Sequence, residues 1–328
     1  MVVGMIETPL TMSDSTAAHP APPHAHLPID LRWWKQAAGV VVGLPVALYL
    51  AYGTTLCAWR AMVVQPAPTS ITLAQGVEYT RTTESDPKRV WHIVKVDLMA
   101  DGLEVQGAEA DVALALPLRA MPATEAVAKN HWVLGFGAGV SLPAKAGELT
   151  APRAMARTRG TTLGGASNVK DESVKDQLFL ALPPHAPASL TAASNNDAIT
   201  GLWSEISLLK QAALSPLASG NERNETTSRL GIGLDASGRT MYIAMIDGRL
   251  ASSSKGATAH ELAEKLKSLG AVNAAQFAHG DAVGMAAALP GNTEPTMVGT
   301  PVAGGVPGRE PALGFVLGLK ALPRLSPP

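Results

Sequence analysis

Two stretches of the chain carry unusually clear patterns of apolar and polar positions, and the rest is organised around them. The first is Gln36 to Trp59, which holds no charged residue and is bracketed by Lys35 and Arg60. As a helix rising about 1.5 Å per residue it reaches roughly 36 Å, enough to cross a bilayer. Trp33 and Trp34 at one end and Trp59 at the other stand where interfacial anchors belong. Pro45 is tolerable in a membrane helix. The spacing therefore predicts an uncleaved single-pass anchor over 36–59. A buried soluble helix and a cleaved signal peptide are the competing readings, the latter opposed by the long polar leader and by Leu56 before Ala58. Arg32 and Lys35 against Arg60 favour an N-terminus inside, which puts the C-terminal part outside the cytoplasm, in the periplasm or the extracellular space.

The second stretch is Ser228 to Ala282. Arg229 to Asp235 reads as a strand, Asp235-Ala236-Ser237-Gly238 as a turn, and Thr240 to Ile246 as the returning strand, ending at Asp247-Gly248-Arg249. Thr258 and Glu261 have capping-box spacing. Leu262, Leu266 and Leu269 form one helical stripe, and Gly270 stands where the helix wants a left-handed residue. Ala271 to Phe277 is a third strand, closed by the polar loop His279-Gly280-Asp281.

Elsewhere the signals are weaker. Val90 to Leu98 is a strand with Val90, His92, Val94, Val96 and Leu98 on one face, and Leu103 to Val105 reads as its hairpin partner. His92, among valines, reads as a core or edge histidine. Gln177 to Leu182 is a short buried strand, and Leu313 to Leu319 a final one. Leu202, Ile206, Leu209 and Ala213 recur at helical spacing, predicting a helix broken at Pro216. The expected organisation is a disordered tail over 1–35, the membrane helix over 36–59, a linker over 60–75 and one domain over 76–322. The fold class is α+β: a mixed β-sheet domain with packed helices, preceded by a single transmembrane helix.

Composition narrows the chemistry. The net charge of −1 and the absence of any Lys/Arg-rich run argue against a nucleic-acid partner. One cysteine, Cys57, excludes an internal disulfide and a cysteine-rich zinc site. His19, His24 and His26 are too sparse for a metal tract, so no metal ligand set is expected. Gly135, Gly137 and Gly139 are followed by Val-Ser-Leu-Pro rather than a helix opening, so a dinucleotide loop is poorly supported. No cofactor is indicated. His131 has the chemistry of an acid or base, but reads first as a partly exposed structural residue.

Arg229, Gly231-Ile232-Gly233, Asp247-Gly248-Arg249, Gly256, Thr258, Glu261-Leu262-Ala263 and Leu269-Gly270-Ala271 fall in the order and spacing of one known family. In these residues the chain resembles the phosphodiester glycosidases, the class of the enzyme that uncovers mannose 6-phosphate by removing N-acetylglucosamine. The resemblance runs loosely from Gly76 to Leu322. It implies a pocket built on Arg229 and Asp247 and a substrate that is a sugar–phosphate diester. Two family motifs are altered. The closing Asp-Gly-Gly-Gly-Ser falls on Ala278, His279, Gly280, Asp281 and Ala282, keeping only Gly280; Leu134 stands where a pocket Asn is expected.

On this resemblance Asp247 and His279 are the candidate catalytic residues, and Arg229, Gly248, Arg249, Gly280 and Asp281 the candidate substrate-binding ones. Arg229 would hold phosphate through its fork of donors. Read without the resemblance, Asp247-Gly248 is a hairpin turn, Glu261 a cap, and His279 to Asp281 a solvated loop. The preferred functional reading is a membrane-anchored, catalytically degenerate module that binds a sugar phosphate or a cell-envelope glycan. The alternative is an active hydrolase of a sugar–phosphate diester.

Overall fold

The computed structural model describes residues 31–108, 118–137, 145–150, 156–163, 177–192, 198, 200–219 and 224–321. Of the expected tail over 1–35, residues 1–30 lie outside these residues, as does the glycine run beyond Gly137, while 31–35 are helical rather than disordered. The chain divides into two compact units, Met1–Tyr52 and Gly53–Pro328.

Helix α1 runs Leu31–Met62 with Pro45 inside it. Its segment Val41–Trp59 has a mean hydropathy of 1.6 and no buried residue, and is long and apolar enough to cross a membrane.

The strands and helices that follow are, in chain order, β1 (Thr69–Ala74), β2 (Val77–Ser85), β3 (Lys88–Asp97), β4 (Leu103–Gly107), β5 (Leu118–Arg119), α2 (Ala123–Asn130), β6 (Leu134–Gly137), β7 (Leu149–Thr150), β8 (Ala156–Thr158), β9 (Thr161–Leu163) and β10 (Phe179–Leu182). Then come β11 (Ser189–Thr191), β12 (Thr200–Trp203), β13 (Ile206–Lys210), β14 (Ala213–Leu214), β15 (Arg229–Leu234), β16 (Thr240–Ile246), α3 (Ala259–Ser268), β17 (Asn273–His279), β18 (Met285–Ala287), β19 (Thr296–Met297) and β20 (Val316–Ala321). The architecture is sheet-rich α+β. An 8-stranded sheet has the order β1-β2-β3-β16-β15-β17-β13-β14; two 5-stranded sheets have the orders β11-β10-β12-β8-β9 and β19-β18-β6-β20-β4. Ladders between these strands are antiparallel, with a parallel pairing at the isolated Val302–Arg309 bridge.

The hairpin and helix expected in 228–282 form as read. β15 and β16 pair from Arg229 with Ile246 to Leu234 with Met241. Thr258 accepts the Glu261 amide while the Glu261 carboxylate accepts the Thr258 amide, a complete capping box. Leu262, Ala263 and Leu266 bury against the sheet. The two glycines of Gly231-Ile232-Gly233 explain how closely. A Cβ on Gly231 would lie 2.9 Å from a Leu266 methyl, and one on Gly233 would lie 2.6 Å from the Ala271 Cβ. Side chains there would push α3 off the sheet.

Three expectations are corrected. The stretch around Leu202, Ile206, Leu209 and Ala213 is not a helix but three strands, β12, β13 and β14. The helical spacing ignored Ser207 and Leu208, which are as buried as their neighbours, so Ile206 to Leu209 is a continuous buried run. Such a run suits a strand lodged between two others, and β13 sits between β17 and β14. Gln211 and Ala212, with φ of 49° and 61°, make the tight turn that ends it. Leu103 to Val105 does not pair with β3. That strand already has β2 and β16 on its two edges, so β4 pairs instead with β20 in another sheet. The stretch read as a linker contains β1, which pairs with β2 across Gly76 at φ 74°.

Candidate functional site

The candidate residues gather at one end of the 8-stranded sheet. Arg229 is directly opposite Ile246 on one side and His279 on the other, and Gly231 is opposite Gln276. Asp247 follows Ile246 immediately. Neighbouring residues of a strand point to opposite faces, and here that separates the chemistry. Ile246 packs with the α3 cluster, while Met245 packs with the main core. Arg229 therefore shares the α3 face with His279 and Gln276, and Asp247 shares the core face with Met245 and, across the ladder, His92.

On the α3 face Arg229 is 1% exposed. Its Nε donates to the Ala257 carbonyl at 2.8 Å, one terminal nitrogen to Gln276 Oε1 at 2.7 Å, and the other to the Glu225 carbonyl at 2.8 Å. Burial lowers its pKa from the ordinary guanidinium value, opposed by the carboxylates of Glu205, Glu225 and Glu261. Gln276 in turn donates to Glu205 Oε2 at 2.8 Å, and the same oxygen is 2.9 Å from His279 Nδ1. That hydrogen bond raises the His279 pKa above the usual imidazole value. At the surface beyond, Arg249 pairs with Asp281, and its other terminal nitrogen is 3.7 Å from Glu225. Asp281 also accepts the Gly304 amide at 3.1 Å.

On the core face Asp247 is 4% exposed. Its Oδ1 accepts the Thr300 amide at 3.0 Å, and Oδ2 is 3.3 Å from His92 Nε2, close but not aligned as a hydrogen bond. The His92 Nδ1 meets the Tyr79 hydroxyl at 2.8 Å. Desolvation pushes that phenol up to about 12, so it stays protonated at ordinary pH. The loop reaches Asp247 only because residue 299 is glycine: a Cβ there would fall 2.5 Å from Asp247 Oδ1. The space beside Asp247, lined by Ser228, Val283 and Thr300 among others, amounts to about 10 Å³.

The glycines are explained by close backbone approach. A Cβ on Gly248 would fall 2.1 Å from the Ser228 nitrogen. Gly280 takes a φ of 60°, its amide donates to the Ser228 carbonyl at 2.9 Å, and the Ser228 hydroxyl donates back to its carbonyl at 2.8 Å. The two altered motifs lie close together: a Cβ on Gly137 would fall 3.1 Å from the Ala282 carbonyl, and just past the second motif the Gly284 carbonyl accepts the Gly137 amide at 2.9 Å. Leu134 and Ala278 are both core residues here. Among the described residues no group of three His, Cys, Asp or Glu side chains is placed to hold a metal.

The sequence reading missed Glu205, Gln276, Tyr79 and Thr300. Gln276 carried a signal, being the polar residue in the middle of an apolar strand. Glu205 was hidden by the misread helix. Tyr79 and Thr300 come to Asp247 through long-range topology, which no local pattern reveals.

The family model for phosphodiester glycosidases matches residues 144–309. No curated protein matches the chain. Among solved structures, the catalytic domain of zebrafish N-acetylglucosamine-1-phosphodiester alpha-N-acetylglucosaminidase, auto-inhibited by its pro-peptide, superposes with a TM-score of 0.56 at 13% identity, covering 80% of this chain and 86% of that one. A Burkholderia pseudomallei protein gives 0.52 at 11% identity over 78% and 98% of the two chains. A hypothetical protein from Synechocystis gives 0.50 at 13% over 78% of this chain and 64% of that one, so this chain spans under two thirds of its length. At such identities the superpositions establish the fold alone. The family match takes in half the chain, Arg229 to Ala282 included, and the chain belongs to the phosphodiester glycosidase family.

Proposed function

We propose that this protein is a membrane-anchored, catalytically degenerate phosphodiester glycosidase domain that binds a cell-envelope glycan. The observation that carries this reading is the size of the space beside Asp247. About 10 Å³ is room for one water, whereas pockets for small ligands run to roughly 300–1,000 Å³. Arg229 supports the same reading, because its fork is spent on protein acceptors. Removing one catalytic group typically lowers a rate on the order of 10²- to 10⁴-fold, and two pocket positions, Leu134 and Ala278, are apolar.

Binding falls to the exposed edge formed by His279, Gly280, Asp281 and Arg249, with Gly248 buried behind it. Arg249 faces Asp281 and Glu225, and His279 faces Glu205. The cations are matched by carboxylates, so a doubly charged phosphate meets no net positive charge. Paired donors and acceptors suit sugar hydroxyls better, which favours a neutral glycan over a sugar phosphate. Arg32 and Lys35 before the apolar segment Val41–Trp59, against Arg60 after it, support an outside location for the domain.

The second reading, an active hydrolase, draws on Asp247 and His92, a buried carboxylate and imidazole in the arrangement of an acid–base pair. Incubating the full chain with an aryl N-acetylglucosamine 1-phosphodiester decides between them. No released sugar, together with neutral oligosaccharide binding lost in Arg249→Ala, is the expected result. Turnover abolished by Asp247→Asn overturns it in favour of the hydrolase.

A further inference from the structure

The stem that leaves α1 is fastened to the domain within a few residues. Gly53–Met62, the last turns of α1, belong to the same compact unit as the sheets. Hydrogen bonds then hold the residues that follow. Ser252 Oγ donates to the Val63 carbonyl at 2.8 Å. Gln65 Nε2 donates to the carbonyls of Glu84 and Arg89 at 2.8 and 2.9 Å. Arg81 Nε donates to the Ala67 carbonyl at 2.8 Å. The partners on the domain side are the β2–β3 hairpin and the 250–255 loop beside it, which is joined to that hairpin by the Lys255 amide donating to the Lys88 carbonyl at 3.0 Å.

This docking fixes a depth. With the apolar segment Val41–Trp59 in a bilayer, Val63 stands four residues beyond its end. At about 1.5 Å per residue that is roughly 6 Å, and the headgroup layer on each side of a bilayer is about 5–8 Å deep. The surface around Ser252 is thereby set at headgroup level. Trp59, Met62 and Val64 are exposed apolar residues along the same stem. The charges on segments 85–88 and 250–255 are Asp86, Lys88 and Lys255. Both lysines are exposed, and Lys88 Nζ donates at 3.1 Å to the carbonyl of Ser252, the residue that grips the stem. Among the described residues neither lysine has a carboxylate within ion-pair distance. The Glu84 carboxylate is engaged by Arg89 and Trp91.

We propose that this surface binds the headgroups of anionic phospholipids, with Lys88 and Lys255 meeting lipid phosphates and Trp59, Met62 and Val64 lying in the adjoining interface. The proposal rests on the membrane-anchored reading above. The docked stem favours lipid over a soluble anion, because it holds both ammonium groups where phosphates are concentrated and leaves little chain freedom to lose on contact. Two lysines against Asp86 make the surface weakly positive, and a basic residue near an anionic membrane contributes about fivefold in binding. An ammonium is a compact point charge without the planar fork of a guanidinium, so the surface selects by net charge, anionic lipid over zwitterionic, rather than by headgroup shape.

The test is electron spin resonance of spin-labelled phosphatidylglycerol and phosphatidylcholine in phosphatidylcholine vesicles carrying the full chain. Phosphatidylglycerol is expected to associate with the protein about threefold more strongly than phosphatidylcholine. The Lys88→Ala, Lys255→Ala double variant lowers that ratio by about half or more, the Lys88→Arg, Lys255→Arg pair keeps it, and inorganic phosphate shifts it no more than chloride at the same ionic strength. The proposal is overturned by any of three results: equal association of the two lipids, an alanine pair as selective as the parent, or phosphate competing beyond chloride, which would make the surface a site for a free anion. Should the alanine pair fail to fold, Lys88→Gln with Lys255→Gln decides in its place. Flotation of the same vesicles after an alkaline wash reports the anchor separately. A chain stripped off by the wash overturns the anchor and this surface together; a chain that floats without selectivity overturns this surface alone.

Discussion

The two faces of the β15–β16–β17 sheet hold almost the same inventory and use it differently. The α3 face carries a cation, an amide, an imidazole and a carboxylate, joined by hydrogen bonds of 2.7–2.9 Å and continuous with an exposed edge. The core face carries a carboxylate, an imidazole and a phenol, closed over by the 298–300 loop with room for one water. Arg229 and Asp247 are almost adjacent across the ladder, yet the sheet stands between their side chains. The difference teaches that a motif can preserve backbone proximity without assembling a pocket: one step along a strand exchanges solvent-linked chemistry for sealed structure.

Substitutions that strip each face in turn sharpen the contrast. The largest effect is expected at Arg229→Ala. Three protein acceptors lose a buried charged donor at once, and breaking such a buried arrangement costs about 3–5 kcal/mol. Thermal denaturation of the full chain should show a fall on the order of 10 °C; a shift below about 2 °C would mean the guanidinium is held for a ligand rather than for the fold. Next comes Gly248→Ala. Its Cβ would fall 2.1 Å from the Ser228 nitrogen, so the β15 entry must move, and overpacking of this kind costs about 1–3 kcal/mol. The same variant should weaken oligosaccharide binding, because Ser228 also holds Gly280. Asp247→Asn is smaller, about 1–2 kcal/mol, since the amide keeps the Thr300 contact and loses only the charge facing His92. Equilibrium denaturation measures it, and binding to the exposed edge should not change.

The smallest effect is electrostatic and lies on the α3 face. The His279 pKa is raised, first by its hydrogen bond to Glu205. A raised pKa means that the protonated imidazole favours the folded state. The pairing is fully present below the ordinary value near 6.5 and is lost as pH rises through the raised one. His279 is 55% exposed, so solvent screens most of its contribution to stability. An NMR titration should show the His279 pKa falling in Glu205→Gln.

What could be read in the chain beforehand follows the range of the forces involved. The α3 cap, the hairpin and the glycines under the helix are set by residues a few positions apart, and all were legible. The family's site residues could be placed on strand ends, but not on faces. Whether Arg229 and Asp247 share a pocket depends on parity across three strands, and on Tyr79 and Thr300 arriving from distant segments. The stretch from Leu202 to Ala213 misled for a related reason. Its apolar residues fit a helix locally, and only the presence of β17 on one edge made a buried strand the better solution.

The pairing of β15 with β17 carries one more lesson. Its register shifts between Leu230 and Gly231, so that Ala278 is opposite one and Gln276 opposite the other. Three positions apart, Gln276 and His279 would point away from each other in a regular strand; the extra residue, Phe277, returns both to the side of Glu205. Were the same residues paired without that bulge, every polar group would be retained by name and yet the imidazole would turn into the core. The assembly around Glu205 therefore depends on the bulge, and one residue inserted between Gln276 and His279 would undo it more surely than most substitutions.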